Sequence, residues 1–327
     1  MKRIRIIYLN AFISLLLFNV ACTGSPATAP VATAAVVATQ VPAPTTAPTA
    51  ISTATPAIVV VPTWAPEVIK QRWETFDASQ FDRSTIIDNQ WFPLNPGTQY
   101  IWEGFTEDAG KKIPHKVILT VTDLTKIVEG VRNVVVWDQD YANGTLAEAE
   151  LALFAQANDG NLWHFGQYPE VYENGKLVES PAWIAGIEDA RPGITIKAKP
   201  QLNGPSYSQG FGPAVNWTDR ARVIQSNLEI CVPLNCYKDV IVTMETSESE
   251  LLKGAFQMKY YAPGVGNIKV DWYGADATRE TLELVKIVKL DAKGLAEARE
   301  KALALEKSAY GVSKDVYGKT KPSELAP

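Results

Sequence analysis

Residues 134–175 read VVVWDQDYANGTLAEAELALFAQANDGNLWHFGQYPEVYENG, and this stretch decides the fold class. Asn143-Gly144, Asp159-Gly160 and Asn174-Gly175 recur at similar spacing between runs rich in β-branched and aromatic residues. Such dipeptides suit two-residue hairpins, whose central positions need positive φ. The spacing predicts an antiparallel meander of Val134–Tyr141, Glu148–Ala157, Leu162–Tyr172 and Lys176–Ile184.

Outward from this centre the same signal continues. Gln99–Phe105 and Lys116–Asp123 alternate, with Val117, Leu119 and Val121 on one face. Further strands are predicted at Ile194–Ala198, Val223–Ile230, Val240–Thr246, Phe256–Ala262, Ile268–Tyr273 and Leu282–Leu290. Parallel βαβ alternation is absent from the pattern. The period changes after Asp291, which is placed to cap a helix over Ala292–Ser308 whose broad apolar face packs on the sheet. A short helix is also predicted over Val68–Phe76. The expected fold is therefore mainly β: one antiparallel meander forming a curved sheet or sandwich over residues 67–290, with a C-terminal helix and tail over 291–327.

The N-terminus reads as an export signal over residues 1–21. Lys2, Arg3 and Arg5 precede an apolar run, Ile6–Phe18, too short and interrupted for a membrane span. It ends at Asn19-Val20-Ala21-Cys22, which resembles the bacterial lipobox, with Asn19 where Leu is usual. Cys22 is the expected lipidation site and membrane anchor; ordinary cleavage nearby, with Cys22 incidental, is the alternative. From Thr23 to Pro66 no residue is charged, and Ala, Thr, Pro and Val dominate. Repeated proline removes backbone donors and favours extended chain, so residues 22–66 read as a lipidated cysteine followed by a semi-rigid tether. The remaining cysteines, Cys231 and Cys236, flank a tight loop and are expected to form a disulfide in an oxidising compartment.

A net charge of -5 argues against nucleic-acid binding. With two histidines in the chain, metal and catalytic options are narrow. His115 follows a proline and reads as surface, while His164 faces solvent or fills a polar niche. Asp138, Asp140 and Glu148 look briefly like a calcium loop, but the register of an EF-hand fails and Asn143-Gly144 is better read as a turn. Gly264-Val265-Gly266 lacks the strand-before, helix-after context of a phosphate loop. Glu148, Glu150 and Glu173 offer carboxylates for acid–base work, yet no spacing selects a pair, and a solvated outer face is the plainer reading. No cofactor or metal is expected.

Nine tryptophans are more informative. Most belong in a core; a minority reading places Trp102, Trp137, Trp163, Trp183 and Tyr261 around an aromatic-lined pocket. Two stretches, Trp91-Phe92-Pro93-Leu94-Asn95-Pro96-Gly97-Thr98 through Glu103-Gly104, and Tyr260-Tyr261-Ala262-Pro263-Gly264-Val265-Gly266, resemble a family of secreted and lipid-anchored bacterial proteins without an established activity. Asn158–Trp163 and Asp239–Thr243 are similar to that family as well. The resemblance implies architecture and export, not chemistry. Its members often carry an acid where this chain has Gln167.

These readings converge on an exported, envelope-located lipoprotein that is a non-catalytic binder or carrier of an apolar or amphipathic small molecule. An envelope protein-interaction or assembly module is the alternative, and a carboxylate-dependent hydrolase the third.

Overall fold

A computed structural model describes residues 71–108 and 110–326. The export signal, Cys22 and the tether lie outside the described residues.

The first half of the domain is a run of hairpins. β1 (Thr98–Asp108), β2 (Lys111–Val128), β3 (Val131–Ala142), β4 (Thr145–Gln156), β5 (Leu162–Glu173) and β6 (Lys176–Glu179) pair in sequence order. Asn143 and Gly144 have φ of 51° and 78°, and Asn174 and Gly175 of 50° and 73°, as a two-residue hairpin turn requires. Asp159-Gly160 is different. Gly160 has positive φ and Asp159 does not; the Asp159 side chain instead accepts from the Asn161 amide within a longer loop.

Two short strands, β7 (Trp183–Ile184) and β8 (Gly193–Ile196), also pair with β5. The single strand expected over Lys176–Ile184 is thus two, divided around Ser180-Pro181, where proline has no amide to give a ladder. The second half comprises β9 (Tyr207–Ser208), β10 (Arg220–Val232), β11 (Asn235–Thr246), β12 (Ala255–Ala262), β13 (Gly266–Gly274) and β14 (Thr281–Lys289). These also pair in order, and β14 then pairs with β1, joining both halves into one antiparallel sheet.

The sheet curls strongly. Arg191, just before β8, and Phe211, just after β9, exchange backbone hydrogen bonds of 2.7 and 3.0 Å, linking the strands of opposite halves. At Gly193 an added Cβ would lie 2.1 Å from the Gly210 nitrogen, so this approach needs glycine.

The predicted helix over 68–76 does not form in the described part. Residues 71–76 are irregular, and a single 3₁₀ turn follows at Ala78–Gln80, capped by Asp77. The extended path lets Phe76 and Phe81 pack on Trp163 and Phe165, with ring centroids 5.4–6.2 Å apart. Burying these aromatic rings outweighs a helix propensity of a few tenths of a kcal/mol per residue.

The C-terminal helix, α1 (Ala292–Val312), begins as expected, with Asp291 accepting from the Gly294 amide at 2.8 Å. Ala302, Leu305 and Ala309 bury against the sheet face that carries Leu124, Val135, Leu151, Leu153 and Phe165. The tail then returns to the sheet, where β15 (Glu324–Leu325) pairs with β2. Lys126 of β2 is sealed beneath this cover. Its Nζ donates to Glu306 Oε1 at 2.9 Å, to the Tyr310 hydroxyl at 3.1 Å and to the Lys321 carbonyl. Burial lowers the Lys126 pKa, and Glu306 opposes that shift.

The Cys231–Cys236 disulfide is present and closes the tip of the β10–β11 hairpin. Closing so short a loop contributes at most about 2 kcal/mol. Thiol labelling of the unfolded, unreduced protein is therefore expected to find neither of these cysteines, and replacing both by serine should leave the fold intact.

Truncating Glu306 to alanine strands the buried Lys126 ammonium. It should cost about 3–5 kcal/mol in a denaturant titration, while the paired change Lys126→Met with Glu306→Leu should cost far less. Equal losses in both proteins would show that the ion pair does not govern docking of the helix.

Candidate functional site

The inner face of the curl is where the sequence becomes unusual. In a plain two-residue hairpin, Ala142 opposite Thr145 would set Asp140 against Ala147, and Asp138 against Ala149. The acids of the two strands would then face opposite sides of the sheet. The register shifts between Asp140 and Tyr141, leaving Ala147 as an extra residue. Asp140 then lies opposite Glu148 and Asp138 opposite Glu150, so four carboxyl groups share one face.

That face looks onto a cavity of about 30 Å³. Asp138, Asp140, Glu148 and Glu150 form one wall, and Gln257, Lys259 and Asn267 of other strands, with Glu280 just before β14, line it as well. Trp102, Val117, Val270 and Leu282 complete it. The space holds about two water molecules.

Some of these groups are firmly partnered. Lys259 Nζ donates to Glu245 Oε2 at 2.6 Å, and the Thr243 hydroxyl to Glu245 Oε1 at 3.1 Å. Gln257 Nε2 donates to Glu280 Oε2 at 2.7 Å. Trp102 Nε1 donates to the Asn267 carbonyl at 2.9 Å. Others are not. The Asn267 carboxamide, 1% exposed, has no partner at either Oδ1 or Nδ2, and Gln257 Oε1 and Asp138 Oδ1 are likewise buried and unpartnered. Buried polar atoms of this kind ordinarily meet water or an ion.

His115 corrects the surface reading. It is 3% exposed, and its Nε2 lies 3.0 Å from Asp140 Oδ1 and 3.3 Å from Glu280 Oε1. Antiparallel pairing places it opposite Gly104 of β1, where an added Cβ would sit 1.9 Å from the Thr281 carbonyl oxygen. Gly104 thus lets β14, and Glu280 just before it, close over the histidine. Glu148 and Glu150, expected on a solvated face, are 5% and 4% exposed; Glu173 does lie at the surface.

Burial raises Asp138 to a pKa of about 7, with Asp140 and Glu148 adding repulsion. Burial also raises Glu280 to about 7, against the pull of His115. Two carboxyls in the neutral range invite an acid–base reading. The space is small, about two waters in size, and no serine, threonine or cysteine lines it.

The aromatic candidates are dispersed. Trp102 lines the acidic cavity. Trp163 belongs to the core beneath α1, and half-buried Trp137 packs against that core. Trp183 stacks on Trp217, and Tyr261 meets Phe92 edge-on at 6.1 Å. His164 packs between Phe154, Trp183 and Trp217 at 4.9–5.9 Å, and burial holds its pKa well below 6.5, so it is neutral.

No protein-family model and no curated protein matches the chain. Among solved structures, it is similar to a Bacteroides fragilis protein described as exported with a YmcC-like fold, at 12% identity and a TM-score of 0.37, covering 62% of this chain and 100% of that one. A Parabacteroides distasonis protein described as a lipoprotein is similar at 12% identity and a TM-score of 0.34, covering 61% of this chain and 99% of that one. Likenesses this distant carry no argument about what this chain does.

Because folding raises the Asp138 pKa above its ordinary 3.8, the folded state binds the extra proton, and this group's contribution to stability is full below pH 4 and lost as pH rises through 7. In metal-free buffer, Asp138→Asn should therefore gain on the wild type between pH 4 and 7 and hold that gain above 7. The groups around it are Asp140, Glu148, Glu150, Glu280, His115 and Lys259. A pH-independent difference in denaturant midpoints would refute the assignment.

Proposed function

We propose that this is an exported protein, held at the cell envelope by a lipidated Cys22 and the tether over residues 23–66, whose β domain is a non-catalytic interaction module. The reading rests on the targeting-type N-terminus, the uncharged tether and the surface of the domain.

One observation carries the choice of an interaction module: the edge strand β6. All four of its residues are exposed, and Leu177 and Val178 keep 40% and 47% of their surface. β6 stands at the end of the sheet order, with β5 on one side and no strand on the other among the described residues. An open edge with apolar side chains suits addition of an extended segment from another envelope protein, through main-chain hydrogen bonds and side-chain contacts. A carrier of apolar molecules requires a continuous apolar cavity of several hundred cubic ångströms. The space inside this curl is acid-lined and far smaller, and the larger hollow of about 590 Å³ beside His115 is bordered by Glu103 and Lys116 rather than by a continuous apolar wall, which disfavours the carrier.

The test is made in the native host. A photo-crosslinking residue at Val178 should give one discrete protein adduct, and the same probe at Leu252, which is 90% exposed, should not. Leu177→Pro, with the probe kept at Val178, should abolish the adduct by removing the outward-facing amide of the Tyr172–Leu177 pair. Intact-mass measurement of membrane-extracted protein should find diacylglyceryl-Cys22 at the N-terminus and no co-purifying lipid. A stoichiometric bound lipid, with no adduct at β6, would restore the carrier in place of this proposal.

A further inference from the structure

The stretch from Ala190 to Arg222 runs against the charge of the chain. It holds Arg191, Lys197, Lys199, Arg220 and Arg222 against one acid, Asp219, in a protein whose net charge is -5. The fold uses part of this charge internally. Arg220 is buried and donates to the Ser206 hydroxyl and to the carbonyls of Gln71 and Ser206. Lys197 and Lys199 have no such partners. They follow β8 and line a hollow of about 150 Å³, whose other walls are the 200–205 loop, Tyr207 and Val223. No carboxylate lines it, and among the described residues neither lysine has an acidic side chain within ion-pair distance.

The hollow is held in shape before any ligand arrives. The Ala198 amide donates to Asn161 Oδ1 at 2.9 Å, the Asn203 amide to the Val223 carbonyl at 2.9 Å, and Arg222 Nη2 to the Asn203 carbonyl at 3.1 Å. Asn203 takes a left-handed φ of 56°, and the Gly204 amide closes the turn onto the Gln201 carbonyl at 3.0 Å. Lys197 Nζ stands 4.8 Å from the centroid of the Tyr207 ring, which positions the ammonium without neutralising it. Burial raises the Tyr207 pKa, so no phenolate supplies the missing anion. Arg222 adds a third positive charge beside the loop, and its buried Nε has no hydrogen-bond partner.

We propose that this hollow is a binding site for a phosphate-type oxyanion, with Lys197 and Lys199 supplying the charge. Its source is the headgroup phosphate of an anionic membrane lipid or a free phosphate ester of the same chemistry. Ammonium groups bind phosphate as point charges and need no planar fork. The hollow is smaller than the pockets of about 300–1,000 Å³ that enclose whole organic ligands, so it takes the anionic group and leaves the rest of the molecule outside. Leu202, in the same loop, keeps 51% of its surface exposed. An apolar side chain beside a cationic hollow suits a bilayer surface, with phosphate between the lysines and Leu202 at the acyl boundary. The chain as a whole is acidic and has no general attraction to anionic lipid, so binding of this kind reports a local site. The contact holds a headgroup without extracting a lipid, and it depends neither on the anchor at Cys22 nor on β6.

The test uses the full mature chain with Cys22→Ser, so that no acyl group contributes. Two probes are measured: co-sedimentation with phosphatidylcholine vesicles with and without one-third phosphatidylglycerol, and calorimetric titration with glycerol phosphate. At least one should bind, and binding should weaken several-fold between low and physiological ionic strength. Lys197→Ala with Lys199→Ala should reduce it tenfold or more and leave Tm nearly unchanged, because neither lysine holds an ion pair. Arginine at both positions should retain binding, and Lys301→Ala, on the exposed face of α1, should change nothing. Binding to the anionic vesicles that Leu202→Ser weakens assigns the lipid source. Glycerol phosphate binding without vesicle binding assigns a soluble ester. Failure of both probes overturns the proposal, as does binding that survives the double alanine substitution.

Discussion

Mutual repulsion among buried carboxyl groups is the constraint to which the rest of this domain answers. Five of them border a space the size of about two waters together with Lys259, and His115 stands 3.0 Å from Asp140 and 3.3 Å from Glu280. The surrounding structure holds them there. On the opposite face of β2–β5, Leu151, Leu153 and Phe165 pack beneath Ala302, Leu305 and Ala309 of α1, an apolar layer that resists opening of the curl. Arg191 and Phe211 tie its ends by main-chain bonds. Burial of apolar area is the cohesive term, and the acidic interior spends part of it.

Two buried ionic clusters in one domain make a useful contrast. Around Lys126, every feature of a finished structural pair is present: a carboxylate, a phenol and a carbonyl accept from or flank one ammonium, and Glu306 also accepts from the Tyr317 hydroxyl and from Ser323. Around Asn267 the local geometry differs, with a buried carboxamide whose oxygen and nitrogen have no hydrogen-bond partner. Both lie in the same antiparallel sheet, so a general looseness of packing does not explain the difference. The first cluster fastens a helix; the second leaves a buried carboxamide without a hydrogen bond inside the sheet.

Much of the fold was legible in the sequence because it depends on local chemistry. Positive φ at Asn143-Gly144 and Asn174-Gly175, proline at 181 and the Asp291 cap act within a few residues of themselves, and the strands follow from them. The candidate site was illegible for the opposite reason. Alternation in Asp138-Gln139-Asp140 and in Glu148-Ala149-Glu150 was visible, but one inserted residue, Ala147, decides whether the two acidic rows share a face. Nothing in an alanine announces a bulge. His115 was missed because its burial depends on Gly104 and on Glu280, 165 residues later, arriving over it. The irregular course before Phe81 was likewise fixed by distant aromatic partners, Trp163 and Phe165.

The pairing of β1 with β14 has a consequence for the life of the chain before it is folded. Thr98 meets Lys289, and Gly97 accepts from the Leu290 amide. Each half of the sheet consists of sequential hairpins and can begin to assemble alone, but the seam between them waits for nearly the whole domain to be available. Loops this long close late, and contacts this far apart in sequence slow the final step. A nascent chain that has not yet emerged to residue 290 therefore has no closed curl and no sealed acidic interior. For the exported chain proposed above, that delay is an advantage: the polypeptide stays threadable while it crosses the membrane, and locks only on the far side.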